Sequence, residues 1–83
     1  MQVSIFAVEK TLVTVARAVS VSLPGESGQF CVYPHHISFV SLLRSGSILV
    51  KYKENNTEQS KEVSIKNGIF SIKNDKAIAL VQI

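Results

Sequence analysis

With 83 residues the chain has room for one domain, and 46% hydrophobic with 18% charged residues is a globular composition that excludes a disordered chain. A domain near this size buries only about 60–65% of the surface its unfolded chain exposes, so a permanent partner would stabilise it by mass action. The formal net charge of +3 and pI near 9.3 suit an anionic partner, but Lys10, Arg17, Arg44, Lys51, Lys53, Lys61, Lys66, Lys73 and Lys76 are scattered. No two are adjacent and no RNA-binding aromatic signature accompanies them, which argues against nucleic acid.

The pattern along the chain has period two. Val3 and Ile5 begin an alternating run that ends at a turn near Glu9-Lys10. From Val13 to Leu23 the odd positions are apolar except Arg17, and Thr14, Ser20 and Ser22 lie between them. This predicts a strand with Val19, Val21 and Leu23 inward. Pro24-Gly25 and Gly28 read as turn residues, with Pro24 pre-setting φ and Gly25 supplying a positive φ. Phe30 and Val32 share the inward face of the next strand, which Pro34 ends because it cannot donate to a ladder. Ser38 to Arg44 is ambiguous.

Beyond the break at Ser45-Gly46, Ile48, Val50 and Tyr52 alternate with polar residues, as do Val63 and Ile65. Asn55-Asn56 between them reads as a hairpin tip. Asn67-Gly68 reads as a type I′ turn and Asn74-Asp75 as a last tight turn. Ile78 and Leu80 are expected inward on the final strand. No segment has helical periodicity, so one all-β domain spanning 1–83 is expected, with about nine short strands in a sandwich or barrel.

Convergent chemistry is sparse. Cys31 is the only cysteine, so no internal disulfide can form, which fits a reducing compartment. Cys31, His35 and His36 lack the further cysteine or carboxylate of a tetrahedral metal site. They also lack the orienting group and oxyanion hole of a Cys/His nucleophile. Pro24-Gly25-Glu26-Ser27-Gly28 has no following Lys-Ser/Thr and is not a Walker-type phosphate cradle. No catalytic, cofactor or metal site is therefore assigned. The N-terminus shows no secretory pattern and no stretch reaches the length of a membrane span, so membrane association is expected only through partners.

Leu23-Pro24-Gly25-Glu26-Ser27-Gly28-Gln29-Phe30-Cys31-Val32-Tyr33-Pro34-His35-His36 resembles the Leu-Pro-Gly-x-x-Gly-x-Phe-Gly-x-x-Pro-x-His signature of epsilon subunits of F-type ATP synthases. Leu43-Arg44-Ser45-Gly46 is similar to that family's Leu-Lys-Pro-Gly. Gly68-Ile69-Phe70-Ser71-Ile72, followed by Asn74 and Lys76, resembles its Gly-Phe-Leu-x-Val strand and Asn-Lys turn. The three motifs stand in register across almost the whole chain.

The resemblance implies a flattened barrel or β-sandwich of about nine to ten short, mostly antiparallel strands. It implies a non-catalytic rotor subunit of the central stalk, joining the gamma subunit to the c-ring and supporting the coupling of proton or sodium flow to ATP synthesis. The location implied is peripheral, at the cytoplasmic face of the bacterial inner membrane. Carried over position by position, Glu26, Ser27 and Gln29 would face the c-ring, and His36, Ser41 and Lys66 would face gamma.

Several positions depart from the family pattern. Gln29 replaces a residue that is often acidic, Cys31 and His35 stand where glycines are expected, and Ile37-Ser38 replaces Ala-Pro. Lys66-Asn67-Gly68 replaces Ser-Gly-Gly. These changes support an alternative, a stand-alone β-sandwich adaptor derived from the family. Family members usually continue into two C-terminal helices that restrain hydrolysis or bind ATP. The 83 residues contain no such hairpin, so neither property is expected of them.

Overall fold

Alternation of apolar and polar residues builds nine strands and no helix in the computed structural model, which describes every residue from Met1 to Ile83. The strands are β1 (Gln2–Ala7), β2 (Lys10–Val15), β3 (Ala18–Gly25), β4 (Gly28–Val32), β5 (Phe39–Leu43), β6 (Gly46–Glu54), β7 (Thr57–Ile65), β8 (Asn67–Lys73) and β9 (Lys76–Gln82). One half of the sheet runs β2-β1-β9-β8-β5, and in the other half β3 carries β4 on one side and β6-β7 on the other. All pairs are antiparallel except β1 with β9.

The halves meet at one bridge, Gly25 opposite Leu43, flanked by Glu26 N–H to Leu42 O (3.0 Å) and Arg44 N–H to Pro24 O (2.9 Å). Ala18 N–H donates to Met1 O at 2.8 Å, a second tie between the halves. The result is a flattened, nearly closed barrel of 32 × 26 × 22 Å, as expected.

Seventeen buried apolar side chains fill the interior, and no polar or charged side chain is buried. Val21, Leu23 and Val32 lie inside as expected, and Phe30 is half-buried against the core. Its ring meets Phe39 and Phe70 edge-on at centroid distances of 5.8 and 6.1 Å. Val19 does not go inside. The β3–β6 register shifts between Ala18 and Ser20, and that irregularity puts Ala18 in the core and leaves Val19 at the surface.

The last strand has the opposite phase to the one expected. Ala77, Ala79 and Val81 face the core, while Ile78 and Leu80 face out. Neighbouring strands explain the inversion. Ala77 is flanked by Val3 of β1 and Ile72 of β8, and Ala79 by Ile5 and Phe70. All four flanking side chains point inward and are fully buried, so β9 supplies small residues between large ones.

The turns divide similarly. Asn55-Asn56 (φ 53° and 61°) and Asn74-Asp75 (φ 52° and 61°) are hairpin tips with positive φ at both central positions. Asn67-Gly68 is not a turn: it starts β8, opposite Gln82 and Val81. The corner falls at Lys66, whose N–H donates to Gln82 O at 2.7 Å. Pro24 and Gly25 are likewise strand residues, and Gly25 has no positive φ. Ser38 to Arg44, ambiguous in sequence, supplies β5.

Candidate functional site

The motif from Leu23 to Val32 makes the β3–β4 hairpin, with Leu23 opposite Phe30, Pro24 opposite Gln29 and Gly25 opposite Gly28. Glu26-Ser27 form its two-residue tip, and Gly28 takes the positive φ, at 138°. Gly25 is required by space. A Cβ there would sit 2.6 Å from Gly28 O and 2.7 Å from Phe30 Cε1. Glu26, Ser27 and Gln29 are all exposed at this end, and Gln29 Nε2 donates to Ser22 Oγ at 2.8 Å.

Ser41 belongs with the same hairpin. It lines an open cleft with Glu26, Ser27 and Phe30, and its Oγ donates to Leu42 O at 3.2 Å. Lys66 lies towards this end too, because Leu43 pairs with Gly68 two residues away. His36 does not join them. It sits on the exposed loop Tyr33–Ser38, at the other end of β4 and β5. Its ring lies 5.0 Å from Phe39, and Nδ1 is 2.8 Å from Ile37 O. Of the two positions carried over with His36, Lys66 is separated from it by the length of β5, and Ser41 lies midway along that strand.

Asp75, expected from sequence only as a turn residue, reaches this loop. Its Oδ1 accepts the His35 N–H at 2.8 Å, and its Oδ2 is 3.4 Å from the Met1 ammonium. The His35 N–H holds the Asp75 carboxyl below its usual range; partial burial opposes this and the ammonium adds to it. Tyr33 is raised above the usual phenol value by its hydrogen bond with the Cys31 thiol. No three His, Cys, Asp or Glu side chains gather as a metal-ligand set.

Beyond the positions expected from sequence, the sheet presents an apolar outer surface. Leu42 of β5, Ile69 of β8, Leu80 of β9 and Phe6 of β1 are successive register partners, and Leu42, Ile69 and Leu80 are 55%, 39% and 53% exposed. Val40, Ser71, Ile78 and Ser4 form the adjacent row. At the usual strand spacing each row is about 14 Å long. The opposite outer face is polar: Cys31, Ser22, Leu49 and Glu62 form one row, and Ser20, Lys51 and Ser60 another. A findable signal was present in Ala77-Ile78-Ala79-Leu80-Val81, where both parities are apolar. Such a strand puts apolar side chains on both faces of its sheet.

The fold is a small flattened β-sandwich whose β5-β8-β9-β1 side exposes Leu42, Ile69, Ile78 and Leu80. The chain belongs to the ATP synthase delta/epsilon family: the family model described as the β-sandwich domain of the delta/epsilon chain matches residues 1–83. It is 37% identical over 65 residues to the ATP synthase epsilon chain of Sulfurimonas denitrificans, covering 78% of this chain and 48% of that one. To the epsilon chain of Campylobacter curvus it is 39% identical over 61 residues, covering 74% and 45%. The chain therefore spans about half the length of these relatives. Its fold superposes with a TM-score of 0.80 on a chain from the cryo-EM structure of the Tetrahymena thermophila mitochondrial ATP synthase central stalk and c-ring. That match covers 99% of this chain and 63% of the other at 9% identity, a likeness of fold.

Proposed function

We propose that this domain is a non-catalytic part of an ATP synthase rotor, joining the gamma subunit to the c-ring so that ion flow, of protons or sodium, stays coupled to ATP synthesis. It works at the cytoplasmic face of the bacterial inner membrane and reaches the membrane only through the complex. The observation that carries this reading is the contrast between the outer faces, one apolar and one polar. Gamma docks on the apolar rows of Leu42, Ile69, Leu80 and Ile78, with His36 beyond one end of the strands, Ser41 midway along β5 and Lys66 towards the other end. The polar tip of Glu26 and Ser27, with Gln29, meets the loops of the c-ring. Burying the apolar rows supplies affinity through a few well-packed side chains, and the polar tip supplies orientation.

Affinity capture from native membranes tests the proposal. Recovery of gamma and c subunits with the tagged chain is expected. Capture of neither would overturn the rotor reading in favour of a stand-alone adaptor.

A further inference from the structure

The loop Tyr33–Ser38 carries His36, yet its backbone is held to the rest of the protein by a single hydrogen bond. Of the backbone–backbone bonds outside the regular elements, none involves this loop. Its one tie is His35 N–H to Asp75 Oδ1, 2.8 Å long and spanning 40 positions of sequence. The conformation held there is an unfavourable one: His35 has φ of 66°, in the left-handed region. A histidine at that φ needs support that a glycine does not.

Asp75 is itself well fixed. It occupies the second central position of the β8–β9 turn, with φ of 61°, and its carbonyl accepts the Gln2 N–H at 3.0 Å. Its second carboxylate oxygen faces the Met1 ammonium at 3.4 Å. The charged and titratable groups around it are that ammonium from the β1 side, His35 from the loop, and Lys73 and Lys76 flanking it on its own hairpin.

We infer that Asp75 is the positioning residue of the histidine loop: its carboxylate, reaching across from the β8–β9 turn, holds His35 in left-handed backbone and thereby sets His36 against Phe39 for display to a partner. The ionised carboxylate is a stronger acceptor than a carboxylic acid, so the clamp is charge-assisted. The sign follows. A carboxyl whose folded value lies below its unfolded value contributes order that is complete at neutral pH and is lost as the pH falls through the folded value. The loop therefore loosens only in acid, below the ordinary aspartate range.

Amide hydrogen exchange on the isotope-labelled full chain tests the clamp. In the wild type the His35 amide is expected to be protected at neutral pH and to lose protection in acid, before the Val50 amide of the core does. Asp75→Ala should lower His35 protection at least ten-fold while Val50 stays protected. Asp75→Asn keeps a neutral acceptor, so it should retain partial protection that no longer varies with pH. An unprotected His35 amide in the wild type, or full protection in Asp75→Ala, would overturn the inference. If Asp75→Ala fails to fold, Asp75→Asn decides: a pH profile identical to the wild type also overturns it. The display step rests on the proposed gamma contact, so affinity for purified gamma subunit is measured in parallel. Lost His35 protection with unchanged affinity upholds the clamp and counts against His36 as a gamma contact.

Discussion

Leu80 of β9 and Ile69 of β8 are register partners that both stand on the outside of the sheet, while Ala79, beside Leu80 in the chain, faces the core opposite Phe70. The larger side chains of β9 are thus presented outward and the smaller ones are used inside. Packing explains the inside, because Ala79 fits between Ile5 and Phe70. Nothing within the chain covers the outside, which is why a partner is the natural account of Leu80 and Ile69.

The phase of β9 has a direct test in stability. Ala79→Leu forces extra volume between Ile5 and Phe70 and should destabilise the domain by about 1–3 kcal/mol. Ile78→Ser, on the outer face, should cost less than about 1 kcal/mol. Urea unfolding of the two variants checks the order, and the reverse ranking would mean that β9 packs in the other register.

The hairpin glycines should fail for different reasons. Gly25→Ala places a Cβ 2.6 Å from Gly28 O and 2.7 Å from the Phe30 ring, so a cost of about 1–3 kcal/mol by overpacking is expected. Gly28→Ala meets no atom within 4 Å but must hold φ of 138°, with an expected cost of about 1–3 kcal/mol from backbone strain. Trimming Phe30 to Leu should recover part of the first loss and none of the second, as measured by a double-mutant cycle in urea.

At position 35 the backbone sets the tolerance. His35→Gly relieves the left-handed conformation but gives the unfolded chain more freedom, so stability should stay within about 1 kcal/mol of the wild type. His35→Val puts a β-branched residue at φ of 66° and should lose about 1–2 kcal/mol. Thermal melts of the pair separate the two, and equal melting points would argue that the loop does not hold this φ in solution.

Gln29 offers a test of the polar tip. Its amide bonds Ser22 on the surface, so Gln29→Lys should change stability by no more than about 0.5 kcal/mol. If the c-ring loops present cations there, the same change should weaken attachment through like-charge repulsion, more at low salt than at high. Binding to purified c-rings at two ionic strengths is the measurement, and salt-independent, unaltered binding would place Gln29 outside the contact.

Strand number, fold class and most of the core were legible because alternation fixes which side chains turn inward, and Val21, Leu23, Val32, Ile48 and Val50 follow it. Legibility failed where a neighbour in space, not in sequence, decides. The phase of β9 depends on the bulk of Ile5, Phe70, Val3 and Ile72 beside it. Val19 depends on a bulge against β6. Asn67-Gly68 has the composition of a turn, yet Gly68 serves close packing: a Cβ there would lie 2.6 Å from Leu80 O. The division of Glu26, Ser27 and Gln29 from His36 was readable from the motif, but the placing of Ser41 and Lys66 away from His36 was not. Neither was the reach of Asp75 to His35, a contact between residues 40 positions apart.

The central claim is that the apolar outer face is the gamma-docking surface, and the most direct measurement is the affinity of purified gamma for the wild-type chain and for Leu42→Glu and Leu80→Glu. Both side chains are more than half exposed, at 55% and 53%, so each variant should fold with stability within about 0.5–1 kcal/mol of the wild type. The account predicts that each loses at least ten-fold in affinity for gamma, because a carboxylate would be desolvated in an apolar contact. Folded variants that bind gamma as tightly as the wild type would contradict it.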